Sequence, residues 1–150
     1  FLCKAAALPA QNIASIDVPF RGRIFKVAGD RTIDTWTVTV INDEDFVLRN
    51  AFENWTQQIA DLTTNLGATD PSAYMTNAKV FQLGRGSTKA STSSDGNENV
   101  VLKEYEFIDI FPTSVSAIDL SYDTGDTIEE YTVEFQVQSL NLAGAGSPNG

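Results

Sequence analysis

Between residues 130 and 138 the chain alternates without a slip: Tyr131, Val133, Phe135 and Val137 are apolar, while Glu130, Thr132, Glu134, Gln136 and Gln138 are polar. Successive side chains of a strand point to opposite faces, so this period of two describes a strand with one face in a core and the other in water. Strands of that kind belong to antiparallel sheets, because both faces of a parallel sheet are normally covered. The same period recurs at 34–41, where Trp36, Val38 and Val40 alternate with Thr35, Thr37 and Thr39.

Other strands are read at 13–18 and 23–27, joined by the turn cluster Pro19-Phe20-Arg21-Gly22 into a hairpin, and at 78–83. A turn is expected at Ala28-Gly29-Asp30. A long strand at 100–111 should end at Pro112, with a further one at 115–120. Phe1 to Ala5 reads as the interior of a strand, with Cys3 a small buried residue within it.

One segment has a different period. Leu48, Phe52, Trp55, Ile59, Leu62 and Leu66 are spaced by fours and threes and share one helical face, which predicts an amphipathic helix over about residues 44–66. Asn42-Asp43-Glu44-Asp45 supply capping side chains at its start, and Gly67 a left-handed stop. About seven strands and one helix, with no alternation of strand and helix, predict a mainly β fold: an antiparallel sandwich or partly open barrel with the helix on its flank. One domain is expected over 1–142, with residues 84–99, rich in Gly, Ser, Thr and Asn, as an inserted flexible loop and 143–150 as a flexible tail.

Charge and missing residue types narrow the function. Ten Lys and Arg against twenty Asp and Glu give a net charge of −10, with no histidine. That balance opposes binding to nucleic acid or to an anionic membrane. Without histidine the commonest general base and metal ligand are missing, and so is every Ser-His-Asp or Cys-His arrangement. The single cysteine rules out an internal disulfide and suits a reducing assembly environment. No apolar run reaches the length of a membrane span, so the chain is expected to be soluble. It opens on Phe1, which suggests an amino terminus that has been trimmed, processed or not observed. Acidity is concentrated late, while Arg21, Arg23, Lys26 and Arg31 form a local basic arm.

The candidate chemistry is thin. Asp123-Thr124-Gly125 matches the aspartic-protease signature but stands in a polar turn setting. The carboxylates Asp119, Asp123, Asp126, Glu129 and Glu130 fit no calcium loop, and Gly84-Arg85-Gly86-Ser87 lacks phosphate-loop spacing. Neither an enzyme nor a cofactor or metal site is expected. What remains is a polar strand face, a basic arm and sheet edges, and unpaired edges are templates for another chain.

Two stretches are more specific than their composition: Phe1-x-Cys3-Lys4-Ala5-x-Ala7-Leu8-Pro9-Ala10, and Val27-Ala28-Gly29-Asp30-Arg31-Thr32-x-Asp34-x-Trp36-Thr37-Val38-Thr39-Val40-x-Asn42-Asp43-Glu44. With Phe111-Pro112-Thr113-x-Val115 and Ile128-Glu129-x-Tyr131-x-Val133, the chain resembles the tail tube proteins of contractile-tailed bacteriophages over most of residues 1–140. The family carries a further segment ahead of the Phe-x-Cys-Lys stretch, and the loop 84–99 is longer than usual for it.

The resemblance implies a structural virion protein, assembled in the host bacterial cytoplasm into hexameric rings that stack as the inner tail tube. It implies a contractile sheath outside, tape measure protein and double-stranded DNA in the bore, and baseplate and tail terminator at the ends. Six copies at −10 would bring −60 to a ring, which suits a conduit for a polyanion. On this reading Glu130, Thr132, Glu134 and Gln136 line the bore, and Arg21, Arg23, Lys26 and Arg31 reach an acidic surface of an adjacent subunit or ring. A tube protein of a contractile injection system or a baseplate tube initiator is the alternative of the same kind. A monomeric β-sandwich binding module is the alternative of another.

Overall fold

A computed structural model of the chain describes residues 3–83, 101–123 and 125–141; the expected loop at 84–99 and tail at 143–150 lie outside these. Among the described residues there are seven strands and one α-helix: β1 Cys3–Ala6, β2 Gln11–Phe20, β3 Arg23–Ile33, β4 Trp36–Ile41, α1 Val47–Ile59, β5 Thr76–Leu83, β6 Val101–Val115 and β7 Glu130–Asn141. Five strands form one antiparallel sheet in the order β1-β4-β7-β6-β5, and β2 and β3 form a separate two-stranded sheet. The fold is mainly β: a curled antiparallel half-barrel, a small sheet and one helix.

The two alternating segments become the middle of the large sheet. Val38 stands opposite Val133 and Val40 opposite Tyr131, so the apolar residues of β4 and β7 meet on one face. That face is the core, where Val38, Val40, Phe107, Tyr131 and Val133 are all but inaccessible. Trp36 stacks at 4.6 Å from Phe107 and 5.3 Å from Phe135. Helix α1 closes this face by setting Phe52 edge-on to Phe135 at 5.9 Å. Arg49 ties the helix down, donating to the Ser116 carbonyl at 2.6 Å and lying over the Tyr131 ring.

The helix is shorter than its apolar spacing predicts. It begins at Val47 behind Phe46, whose φ of 52° is left-handed, and no side chain caps it, so residues 42–45 do not play the expected part. At its other end Ala60 is extended, and Gly67 is not left-handed. Leu48, Phe52, Trp55 and Ile59 lie on the helix; Leu62 and Leu66 do not, and they are 86% and 72% exposed.

The reason is local competition for backbone groups. The Asp61 carboxylate accepts from the Thr63 amide and hydroxyl and from the Thr64 hydroxyl, making a side-chain-closed turn where the next helical turn would be. Gly67 instead allows a close approach: a methyl there would lie 2.1 Å from the Ile59 carbonyl oxygen. Gly67→Ala is therefore expected to cost about 1–3 kcal/mol, as for other overpacked sites, measured by urea unfolding.

Three strand expectations also change. Ala28-Gly29-Asp30 is not a turn but runs inside β3, where Gly29 lies close against the Ala14 bulge of β2. Pro112 does not end β6, which continues to Val115 through an irregularity between Pro112 and Ser114, a place in a sheet that tolerates a missing amide donor. Past Val115 no strand forms at 115–120. Cys3 is exposed on the edge strand β1 rather than buried.

Candidate assembly surfaces

The face of the large sheet turned away from the core is polar. Because β7 alternates, it projects Glu130, Thr132, Glu134 and Gln136 together, opposite Ile41, Thr39, Thr37 and, on β6, Phe111. On β6 the left-handed Asp109, with a φ of 55°, interrupts the alternation, so that Phe107 faces the core while its neighbour Glu106, and with it Glu104, faces the other side. Two lysines from the edge strands reach into this row: Lys4 of β1 pairs with Glu130, and Lys79 of β5 lies 2.8 Å from Glu104 and 3.9 Å from Glu106. The hydrogen bond to Glu104, with the charges of Glu104 and Glu106 behind it, pushes the Lys79 ammonium above its ordinary range. Four carboxylates against two ammonium groups leave the face negative. Sequence reasoning found the β7 members and missed Glu104, Glu106, Lys4 and Lys79, whose common face depends on strand order and not on proximity along the chain.

The hairpin β2–β3 stands apart from this sheet. Its turn is Arg21-Gly22, with φ of 46° and 79°, the doubly left-handed pair that matches the twist of a two-residue hairpin loop. Register sets Ile16 opposite Val27, Val18 opposite Phe25 and Phe20 opposite Arg23, so these six share one face. Ser15 and Ala28, Asp17 and Lys26, and Pro19 and Ile24 share the other. The first face is an apolar ladder in water: Phe20 and Phe25 are 65% and 66% exposed, and Ile16, Val18 and Val27 are exposed as well. A two-stranded ribbon with nothing packed on it is marginal in isolation.

The basic arm is divided by this geometry. Arg21 and Arg23 lie at the tip, with the Arg21 guanidinium over the Phe20 ring. Lys26 is on the opposite face, across from Asp17. Arg31 sits near the base, in a shallow depression beside Gln138 and Leu140 of β7. Only Arg21 and Arg23 are brought together.

A third surface follows the helix. The Asp61 amide donates to the Leu66 carbonyl and the Asn65 amide to Asp61, closing a loop that holds Leu62 and Leu66 outward. Three hydrogen bonds to the Asp61 carboxylate, that from the Thr63 hydroxyl largest, then those from the Thr63 amide and the Thr64 hydroxyl, hold its carboxyl down to about 2. A carboxyl depressed on folding stabilises above its unfolded value and loses that contribution as pH falls through the folded one. Faster amide exchange at Thr63 is therefore expected as pH falls from about 4 to 2, after correction for intrinsic exchange. An unchanged protection factor would contradict the closed turn.

Among the described residues no group of three or more His, Cys, Asp or Glu is placed to hold a metal ion. Asp123 lies in an exposed turn, and Thr124 beside it lies outside the described residues.

A family described as phage tail tube protein matches residues 1–142. The tail tube protein gp19 of Enterobacteria phage T4 is 36% identical over 133 residues, spanning 89% of this chain and 75% of that one. Its counterpart in Enterobacteria phage T6 is 35% identical over the same shares. Among solved structures, the tube-terminating cap of the anti-feeding prophage superposes with a TM-score of 0.66 at 17% identity, over 95% of this chain and 80% of that one. A chain from the sheath–tube complex of an extracellular contractile injection system superposes at 0.64 and 12% identity, over 95% and 80%. At those identities the structural likeness is one of fold.

Proposed function

The chain belongs to the phage tail tube protein family, and from that premise we propose that it closes into hexameric rings which stack as the inner tube of the tail. It is a structural, non-enzymatic component of the tail of a contractile-tailed phage. The observation that carries the assembly is the apolar ladder of the hairpin. Phe20, Phe25, Ile16, Val18 and Val27 stand in water in the isolated chain, and an exposed apolar face of this kind marks a protein contact.

The bore is formed by the polar face of the large sheet, with Glu130, Thr132, Glu134 and Gln136 toward the lumen. The pairing of Lys4 and Lys79 tempers that face without reversing its sign. Double-stranded DNA carries about one negative charge per 1.7 Å of axis, so a wall that neutralised phosphates would hold the genome instead of passing it. Tyr131, Val133, Phe135 and Val137 anchor the same strand in the core behind it. Sheath protein surrounds the tube, tape measure protein and DNA occupy the bore in turn, and baseplate and terminator close the ends.

Purified protein is expected to give rings or filaments by size exclusion with light scattering and by electron microscopy. A particle that stays monomeric at every concentration would overturn the assembly and favour a binding module. A species that stops at one ring would favour a tube initiator or cap. In a map of the tube, Glu130 and Glu134 on the outer surface or buried in the wall would overturn the lumen assignment. Charge reversal at Arg21 with Lys26 is expected to slow tube growth, since complementary charge guides encounter and register; an unchanged growth rate would remove the basic arm from the interface.

A further inference from the structure

The tip of the hairpin and the exit of the helix are complementary. The tip offers Phe20 and Arg23 side by side on one rung, with Arg21 folded over the Phe20 ring. Beside the end of α1 lies an open groove of about 500 Å³ lined by Glu53, Thr56, Gln57, Ala60 and Leu62. Its apolar part is Ala60 and the exposed Leu62; its charged part is Glu53. Nothing in the core requires Leu62 to stand in water. It is held there by the Asp61-closed turn, so the groove exists before any partner arrives and little ordering entropy is lost on filling it.

Charge favours the same pairing. Asp17 is the one acidic residue from Ile16 to Gly29, against Arg21, Arg23 and Lys26. Glu53 lines the groove and Asp61 stands between its lining residues Ala60 and Leu62, while Arg49 is turned inward to the Ser116 carbonyl. Glu53 receives Arg49 on one oxygen at 2.6 Å. A carboxylate has further lone pairs for a second guanidinium.

In the single chain the tip is exposed and no hairpin residue lines the groove. Nine residues of paired strand separate the rung at Gln11 and Ile33 from the rung at Phe20 and Arg23, about 30 Å at the rise of a strand, and β3 meets the body at β7. Different patches that meet head to tail generate closed rings or open stacks.

We infer that the hairpin tip of one copy docks in the groove at the end of α1 of another, with Phe20 against Ala60 and Leu62 and Arg23 against Glu53. This rests on the tube reading and names which surfaces meet within it.

A charge swap tests it. Arg23→Glu and Glu53→Arg, each alone, are expected to raise the concentration needed for polymerisation by about tenfold, and the double variant to recover most of that loss, as coupled charge pairs do. A second arm uses Cys3→Ser chains carrying Arg21→Cys and Gln57→Cys, in which a short thiol crosslinker should join copies only after assembly. Single variants without effect, or a double variant no better than Arg23→Glu while its circular dichroism matches the parent, overturn the pairing. So do tubes of the cysteine pair that do not crosslink; this arm decides if Glu53→Arg fails to fold. In each of these cases the parent chain still forms tubes, so the tube reading survives. If the parent chain never polymerises, the tube reading fails as well.

Discussion

Phe107→Ala should remove about 3–5 kcal/mol from the stability of the fold, the range for deleting a large buried aromatic side chain. Phe107 has no accessible surface, stacks on Trp36 at 4.6 Å and sits where β6 crosses between β5 and β7. Truncation would leave a cavity against Trp36 that a strand paired on both sides has little freedom to close. A single domain has about 5–15 kcal/mol in all, so the variant should be largely unfolded at moderate urea. Phe107→Leu, which keeps most of the volume, should cost far less. A loss under about 1 kcal/mol for Phe107→Ala would place Phe107 outside the core.

Val18→Ser combined with Phe25→Ser should do the opposite: abolish assembly and leave the subunit intact. The two residues face each other on the apolar side of the hairpin, and both are already exposed in the single chain. Removing them therefore takes little from folding. If that face is covered in the tube, the lost burial is about 1.5–3 kcal/mol for the phenylalanine alone, or more than tenfold in the concentration needed to polymerise. The melting temperature of the monomer should stay within a degree or two. Normal tubes from this variant would show that the ladder faces solvent in the assembly; a collapsed melting temperature would show that it supports the subunit itself.

What was legible in the chain follows from periodicity. The alternations at 130–138 and 34–41 identified β7 and β4, and also which of their residues are buried, since the two strands pair apolar to apolar at Val38 and Val133. The helix was legible as a stripe, but its ends were not. Leu62 and Leu66 keep helical spacing, and only the Asp61 side chain, by taking the Thr63 amide, breaks the helix before it reaches them. The hairpin was legible as two strands, though shorter than it is. Gly29 read as a turn because glycine often makes one, whereas here it lets β3 pass close to the bulge of β2. Pro112 read as a terminator for a similar reason, yet an irregular rung of β6 absorbs it.

The surfaces were less legible. Glu130 and Glu134 could be assigned to a wetted face, but not the four glutamates and two lysines that share it, because strand order brings together residues up to 126 positions apart. The basic arm looked continuous, and the alternation of the hairpin splits it between tip, opposite face and base.

By itself, then, the order of residues determined that this chain is an antiparallel β protein with a single amphipathic helix, a net negative charge and no means for histidine chemistry. These follow from local periods and from counts, which hold whatever the rest of the molecule does. Only the tertiary structure decided which apolar side chains are left in water. A period shows that a face is apolar without showing whether the chain has anything to cover it, and among the described residues the hairpin ladder of Ile16, Val18, Phe20, Phe25 and Val27, with Leu62 and Leu66, is an instance where it has nothing.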